Sequence, residues 1–92
     1  TNCFVTYPNI QNLKSKSTIE FEFLSKTDTQ IEVREGSANG KLLTTCMFPA
    51  NNTEAFQKIS FNTEELQNEQ TICLVFKNSA IANLKINRFR FK

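Results

Sequence analysis

The sequence predicts an all-β domain, a jelly-roll-like antiparallel β-sandwich of about seven strands. Three observations carry that reading. Short runs alternate apolar and polar residues with the period of two that a half-buried strand requires. Asn-, Gly- and Pro-bearing turns punctuate the runs at roughly 8–12-residue spacing. Nine Phe residues supply large apolar areas to a chain of only 92 residues and 39% hydrophobic content. At this length residues 1–92 make one domain at most, with a small core.

The elements follow in order. Asn2 to Tyr7 (NCFVTY) reads as a short strand closed by Pro8. Ser17 to Leu24 (STIEFEFL) alternates cleanly, with Ile19, Phe21 and Phe23 on one face and Thr18, Glu20 and Glu22 on the other. Gln30 to Arg34 (QIEVR) puts Ile31 and Val33 inward. Glu35 to Gly40 (EGSANG) is a turn, and Asn39-Gly40 suits positive φ. Lys41 to Phe48 (KLLTTCMF) is a strand stopped by Pro49, and Ala50 to Ala55 is a loop. Phe56 to Phe61 (FQKISF) is a strand with Ile59 and Phe61 facing inward. Asn62 to Glu69 forms a long loop or one helical turn. Gln70 to Phe76 (QTICLVF) is nearly continuous apolar, as a central strand buried on both faces should be. Lys77 to Asn83 is a loop, and Leu84 to Phe91 (LKINRFRF) closes the chain. In that last run Leu84 and Ile86 hold one phase and Phe89 and Phe91 the other, so a β-bulge is expected near Asn87 and Arg88.

Composition narrows the function. Eleven basic residues against nine acidic give a net charge of +2, without the excess that a dedicated nucleic-acid binder concentrates. No apolar run approaches the roughly 20 residues of a membrane span. His is absent, which removes the commonest general base and the commonest metal ligand. No nucleophile–base pair stands out either, so an enzyme is not expected. Cys3, Cys46 and Cys73 form no C-x-x-C pair, so a zinc site is not expected. Cys46 and Cys73 sit in apolar strands as small buried hydrophobes, or as a disulfide if those strands are neighbours. No signal peptide is visible, and the chain opens at Thr1 almost inside a strand, as a module taken from a longer or processed protein does.

The blocks IEVREGSANGKLLTT, PANNTEAFQKI, QTICLVFKN and NLKINRFRF, with FVTYPNI at the front, resemble in order and spacing the family 6 carbohydrate-binding modules. That resemblance implies a jelly-roll sandwich, non-catalytic, appended to a glycoside hydrolase that is secreted, periplasmic or on the cell surface. Its implied partners are an oligo- or polysaccharide and a catalytic domain of the same parent chain, with no nucleic acid and no membrane span. Family members carry a further opening strand with ligands for a structural calcium ion. This chain lacks those residues, so no cofactor is expected, although the resemblance itself leaves a structural calcium ion open. The resemblance also implies a sugar ring sandwiched by two aromatics, with a polar partner from the closing segment. The matching positions are Phe4, Phe56 (Phe where Trp is usual), and Asn83, Lys85 or Asn87.

Each site residue has a plainer reading. Phe4 and Phe56 also suit core positions, and Tyr7 suits a sheet edge. Arg88, Arg90 and Lys92 share one strand face, either as a polyanion patch or as the solvated side of an edge strand. Glu64 and Glu65, adjacent in sequence, point different ways and suit a loop better than a catalytic pair. Asn51-Asn52-Thr53 is a glycosylation sequon, relevant only in a eukaryotic secretory pathway. If the aromatics were buried, the domain would instead be a structural sandwich that packs against a catalytic domain without binding sugar.

Overall fold

A computed structural model describes residues 3–51, 54–77 and 80–92. The expected strand start at Asn2, and Asn52 and Thr53 of the sequon, lie outside the described residues. Among the described residues seven strands form: β1 (Cys3–Ile10), β2 (Thr18–Ser25), β3 (Thr29–Glu35), β4 (Leu42–Phe48), β5 (Gln57–Asn62), β6 (Gln70–Lys77) and β7 (Leu84–Phe91). They pair antiparallel in two sheets, ordered β1-β6-β3-β4 and β5-β2-β7. The architecture is the β-sandwich that the alternation predicts.

The inward residues of β2, Ile19, Phe21 and Phe23, are fully buried. They meet Ile31 and Val33 of β3, Cys46 and Phe48 of β4, and Ile72 and Leu74 of β6. Phe48 is the hub of the ring packing, with centroids 4.9 Å from Phe23, 5.2 Å from Phe21 and 5.4 Å from Phe61 in tilted and edge-on arrangements. Aromatic quadrupoles favour such contacts over face-to-face stacking. β6 lies between β1 and β3, and Ile72 to Val75 are all buried, as the continuous apolar run requires. The expected bulge is present. Glu22 pairs with Arg88 and Phe23 with Ile86, which leaves Asn87 as the extra residue.

Other expectations need correcting. β1 does not stop at Pro8 but continues to Ile10, with a register shift after Tyr7 and Asn9 at φ 54. β1 is an edge strand, so a residue without an N–H is tolerated there. Positive φ in the 35–40 turn falls on Gly36 (φ 80) and not on Asn39 or Gly40. Gly40 is needed for another reason: a Cβ there would run into the backbone carbonyl of Glu35. Ala80–Asn83 forms a short helical turn, α1, where a loop was expected. The 63–69 segment is a loop. The possible disulfide does not form. β3 separates β4 from β6, Cys46 faces the core, and both Cys46 and Cys73 are free thiols.

Candidate functional site

The three-stranded sheet presents its outer face as rows of side chains. Leu24 pairs with Lys85, and Phe23 with Gln57, so Phe56 stands one position before β5, beside Leu24. Phe56, Leu24 and Lys85 therefore form a row at one end of that face. Phe56 is half-buried, with a polar loop leading into it. The Lys85 ammonium lies 5.8 Å from the Phe56 ring centroid, a cation–π contact.

A cleft of about 490 Å³ opens at this end, lined by Leu24, Lys26, Asn51, Glu54, Asn83 and Lys85 among others. That size suits a small-molecule site. Its walls are fixed by hydrogen bonds. The Ser25 N–H donates to Asn51 Oδ1 at 2.7 Å, and the Lys26 N–H donates to the Asn83 carbonyl at 3.0 Å. Amides, an ammonium and a carboxylate thus converge on one concavity, and the Phe56 ring adjoins its lining residues Lys85 and Leu24. Such a set can stack on the C–H face of a pyranose and hydrogen-bond its hydroxyls.

The structure brings Phe56, Asn83 and Lys85 together and leaves the other two sequence candidates elsewhere. Phe4 pairs with Val75 on β6 and points to the outer face of the four-stranded sheet, beside Glu32, Arg34, Asn39 and Lys77. It is 56% exposed, so it is not a core residue, but it stands on the opposite sheet from Phe56. Asn87, the bulge residue, donates its amide to Glu22 Oε1. Sequence reasoning missed Leu24, Lys26, Asn51 and Glu54. Only the strand register, which the sequence does not print, puts Leu24 beside Phe56.

Other charged residues of that face form a ladder. Arg88 meets Glu22 at 3.3 Å, Arg90 meets Glu20 at 3.1 Å, and Lys92 meets Glu20 at 3.0 Å. The Lys92 hydrogen bond, with help from Arg90, holds the Glu20 carboxyl below the usual carboxylate range. The Asn87 hydrogen bond, with Arg88, does the same for Glu22. Burial pushes the Cys46 thiol up to about 12, which keeps it protonated and inert. Glu64 and Glu65 are exposed in a loop. No group of three or more His, Cys, Asp or Glu side chains gathers among the described residues.

No family model matches the chain. Endo-1,4-β-xylanase A of Thermoclostridium stercorarium is 32% identical over 72 residues, a match that takes in 77% of this chain and 11% of the enzyme. A family 6 carbohydrate-binding module from Clostridium stercorarium, solved in complex with cellobiose, superposes with a TM-score of 0.86 at 23% identity, over 97% of this chain and 66% of that one. A β-1,3-glucan-binding family 6 module from Bacillus halodurans superposes at 0.81 with 28% identity, over 97% of this chain and 69% of that one. The chain shares the β-sandwich fold of the family 6 carbohydrate-binding modules. It spans about two thirds of the length of the solved modules and about a tenth of the xylanase. Both of these solved neighbours are binding modules.

Proposed function

We propose that the domain binds an oligo- or polysaccharide without catalysis at the Phe56 cleft and holds a linked glycoside hydrolase on its substrate. The observation that supports this most directly is a cleft lined by Asn83 and Lys85 with the Phe56 ring against Lys85, in a fold shared with a glucan-binding module. The xylanase relative supports a linked hydrolase as the second partner. In this reading Phe56 and Leu24 form the apolar platform, and Asn83, Asn51 and Lys85 read hydroxyls. Phe4 and Asn87 are left outside the site.

A single shallow site buries little area, so Kd falls in the micromolar to millimolar range, roughly. Tethering then raises the effective substrate concentration for the linked enzyme. The proposed contacts use no cofactor. The domain works where polysaccharide is met, secreted, periplasmic or on the cell surface. Arg88, Arg90 and Lys92 face Glu22 and Glu20, which leaves little net field for nucleic acid.

Affinity electrophoresis and calorimetric titration with cello-, laminari- and xylo-oligosaccharides test the reading. At least one series binds, and Phe56→Ala weakens it. Binding that Phe56→Ala leaves unchanged removes Phe56 from the site.

A further inference from the structure

Along the outer faces of both sheets, cations are paired with carboxylates. Arg34 and Lys77 meet Glu32, Arg88 meets Glu22, and Arg90 and Lys92 meet Glu20, all within 3.9 Å. A groove of about 870 Å³ runs along the open side of the sandwich, between β1 and β7, and there too Arg88 and Arg90 are held by Glu22 and Glu20. The cleft beside Phe56 differs. Lys26 and Lys85 line it, both are exposed, and neither meets a carboxylate of a described residue.

Strand pairing fixes where these two lysines stand. Lys85 pairs with Leu24, and the Lys26 N–H donates to the Asn83 carbonyl at 3.0 Å. Both therefore belong to the same end of the β2–β7 ladder. The Lys85 ammonium lies 5.8 Å from the Phe56 centroid, so a pyranose laid on that ring comes within its reach. Among the described lining residues Glu54 is the one carboxylate. It belongs to the loop that leads into β5, across β2 from β7. Two ammoniums against one carboxylate leave this lining net positive.

A neutral pyranose has little use for that charge. It offers hydroxyls, which amides and a carboxylate already read. Ammoniums gain most from an anion, where Coulomb attraction adds to the hydrogen bond.

Resting on the reading that this cleft binds a glycan, we infer that the glycan is anionic, a chain whose pyranoses carry a uronate carboxylate or a sulfate ester. A sugar face lies on Phe56 and Leu24, and Lys26 and Lys85 hold the anion. Repulsion by Glu54 orients the chain, with the anion on the lysine side.

Calorimetric titration with matched pairs tests this: a xylo-oligosaccharide with and without a glucuronic acid branch, and a galactan oligosaccharide with and without sulfate. At low salt at least one anionic member binds about fivefold tighter than its neutral partner, the scale of exposed ion pairs. NaCl at about 0.5 M brings the two close together. Lys26→Gln and Lys85→Gln each narrow the gap about twofold, and Glu54→Gln widens it. The pair that shows the gap identifies the anion. Equal affinities within both pairs overturn the proposal, as does a gap that neither salt nor the lysine variants reduce. The sugar site itself then stands if Phe56→Ala still weakens binding. No binding at all, or binding that Phe56→Ala leaves unchanged, removes the site and the proposal with it.

Discussion

The two long sides of the sandwich use aromatic residues in opposite ways. On the closed side Phe48 and Phe61 lock β4 to β5 over Phe21, and Phe56 stands on the outer face of that sheet, beside Leu24. On the open side Tyr7 touches Phe89 edge-on at 4.9 Å but keeps a third of its surface in water, and Phe4 points out of the sheet altogether. The difference shows that exposure alone does not mark a binding platform. Tyr7 is exposed because β1 is an edge strand beside an uncovered groove, and Phe4 because it points to the outer face of its sheet. Phe56 is partly exposed on a rigid base, next to convergent amides and an ammonium. Pre-organisation of that kind is what a weak sugar site needs.

The largest expected contrast is in stability. Phe48→Ala removes the ring at the hub of the closed side and destabilises by about 3–5 kcal/mol, a large share of what a small domain has. Tyr7→Ala on the open side costs under about 1 kcal/mol. Urea unfolding of both variants checks this. Equal costs would mean that the open side is as well packed as the closed one.

Binding gives the next contrast. Phe56→Ala weakens sugar affinity about tenfold, near 1.4 kcal/mol, while Phe4→Ala changes it less than twofold. A larger loss from Phe4→Ala in calorimetric titration would move the site to the four-stranded sheet. Lys85→Ala comes below Phe56→Ala, at roughly threefold weaker binding, because the cation–π contact is solvent-facing and worth about 0.5–1 kcal/mol.

The smallest effect is the pH response of the charged ladder. Glu20 and Glu22 have folded pKa values held below the ordinary 4.5. Their contribution is fully present above that value and is lost as pH falls through the lowered folded values. Thermal melts from pH 6 down through this acid range should fall less steeply for Glu20→Gln than for the unaltered chain. Identical slopes would show that the ladder of Arg90 and Lys92 adds nothing measurable, the common fate of surface ion pairs.

Much of the fold was legible because local chemistry dictated it. The alternation in STIEFEFL fixed which face of β2 is buried, and the phase break in LKINRFRF located the bulge at Asn87. The errors sit where tertiary context decides. Pro8 reads as a strand end until β1 is known to be an edge, and Asn39-Gly40 reads as the positive-φ pair until the turn is seen to place that conformation at Gly36. The candidate site was legible only in part. Phe56 and Lys85 lie 29 positions apart in the chain and meet through β2, so no local signal joins them. Phe4 looked equivalent to Phe56 because both are aromatics at strand starts, and only the sheet order separates them.

The most direct test of the account is an amide chemical-shift titration of the isotopically labelled chain with a soluble oligosaccharide that binds. The account predicts saturable shifts concentrated at Phe56, Asn83, Lys85 and Asn51, with Phe4, Glu32 and Val75 unmoved. Shifts centred on Phe4 and the outer face of the four-stranded sheet, with the Phe56 cleft silent, would contradict it.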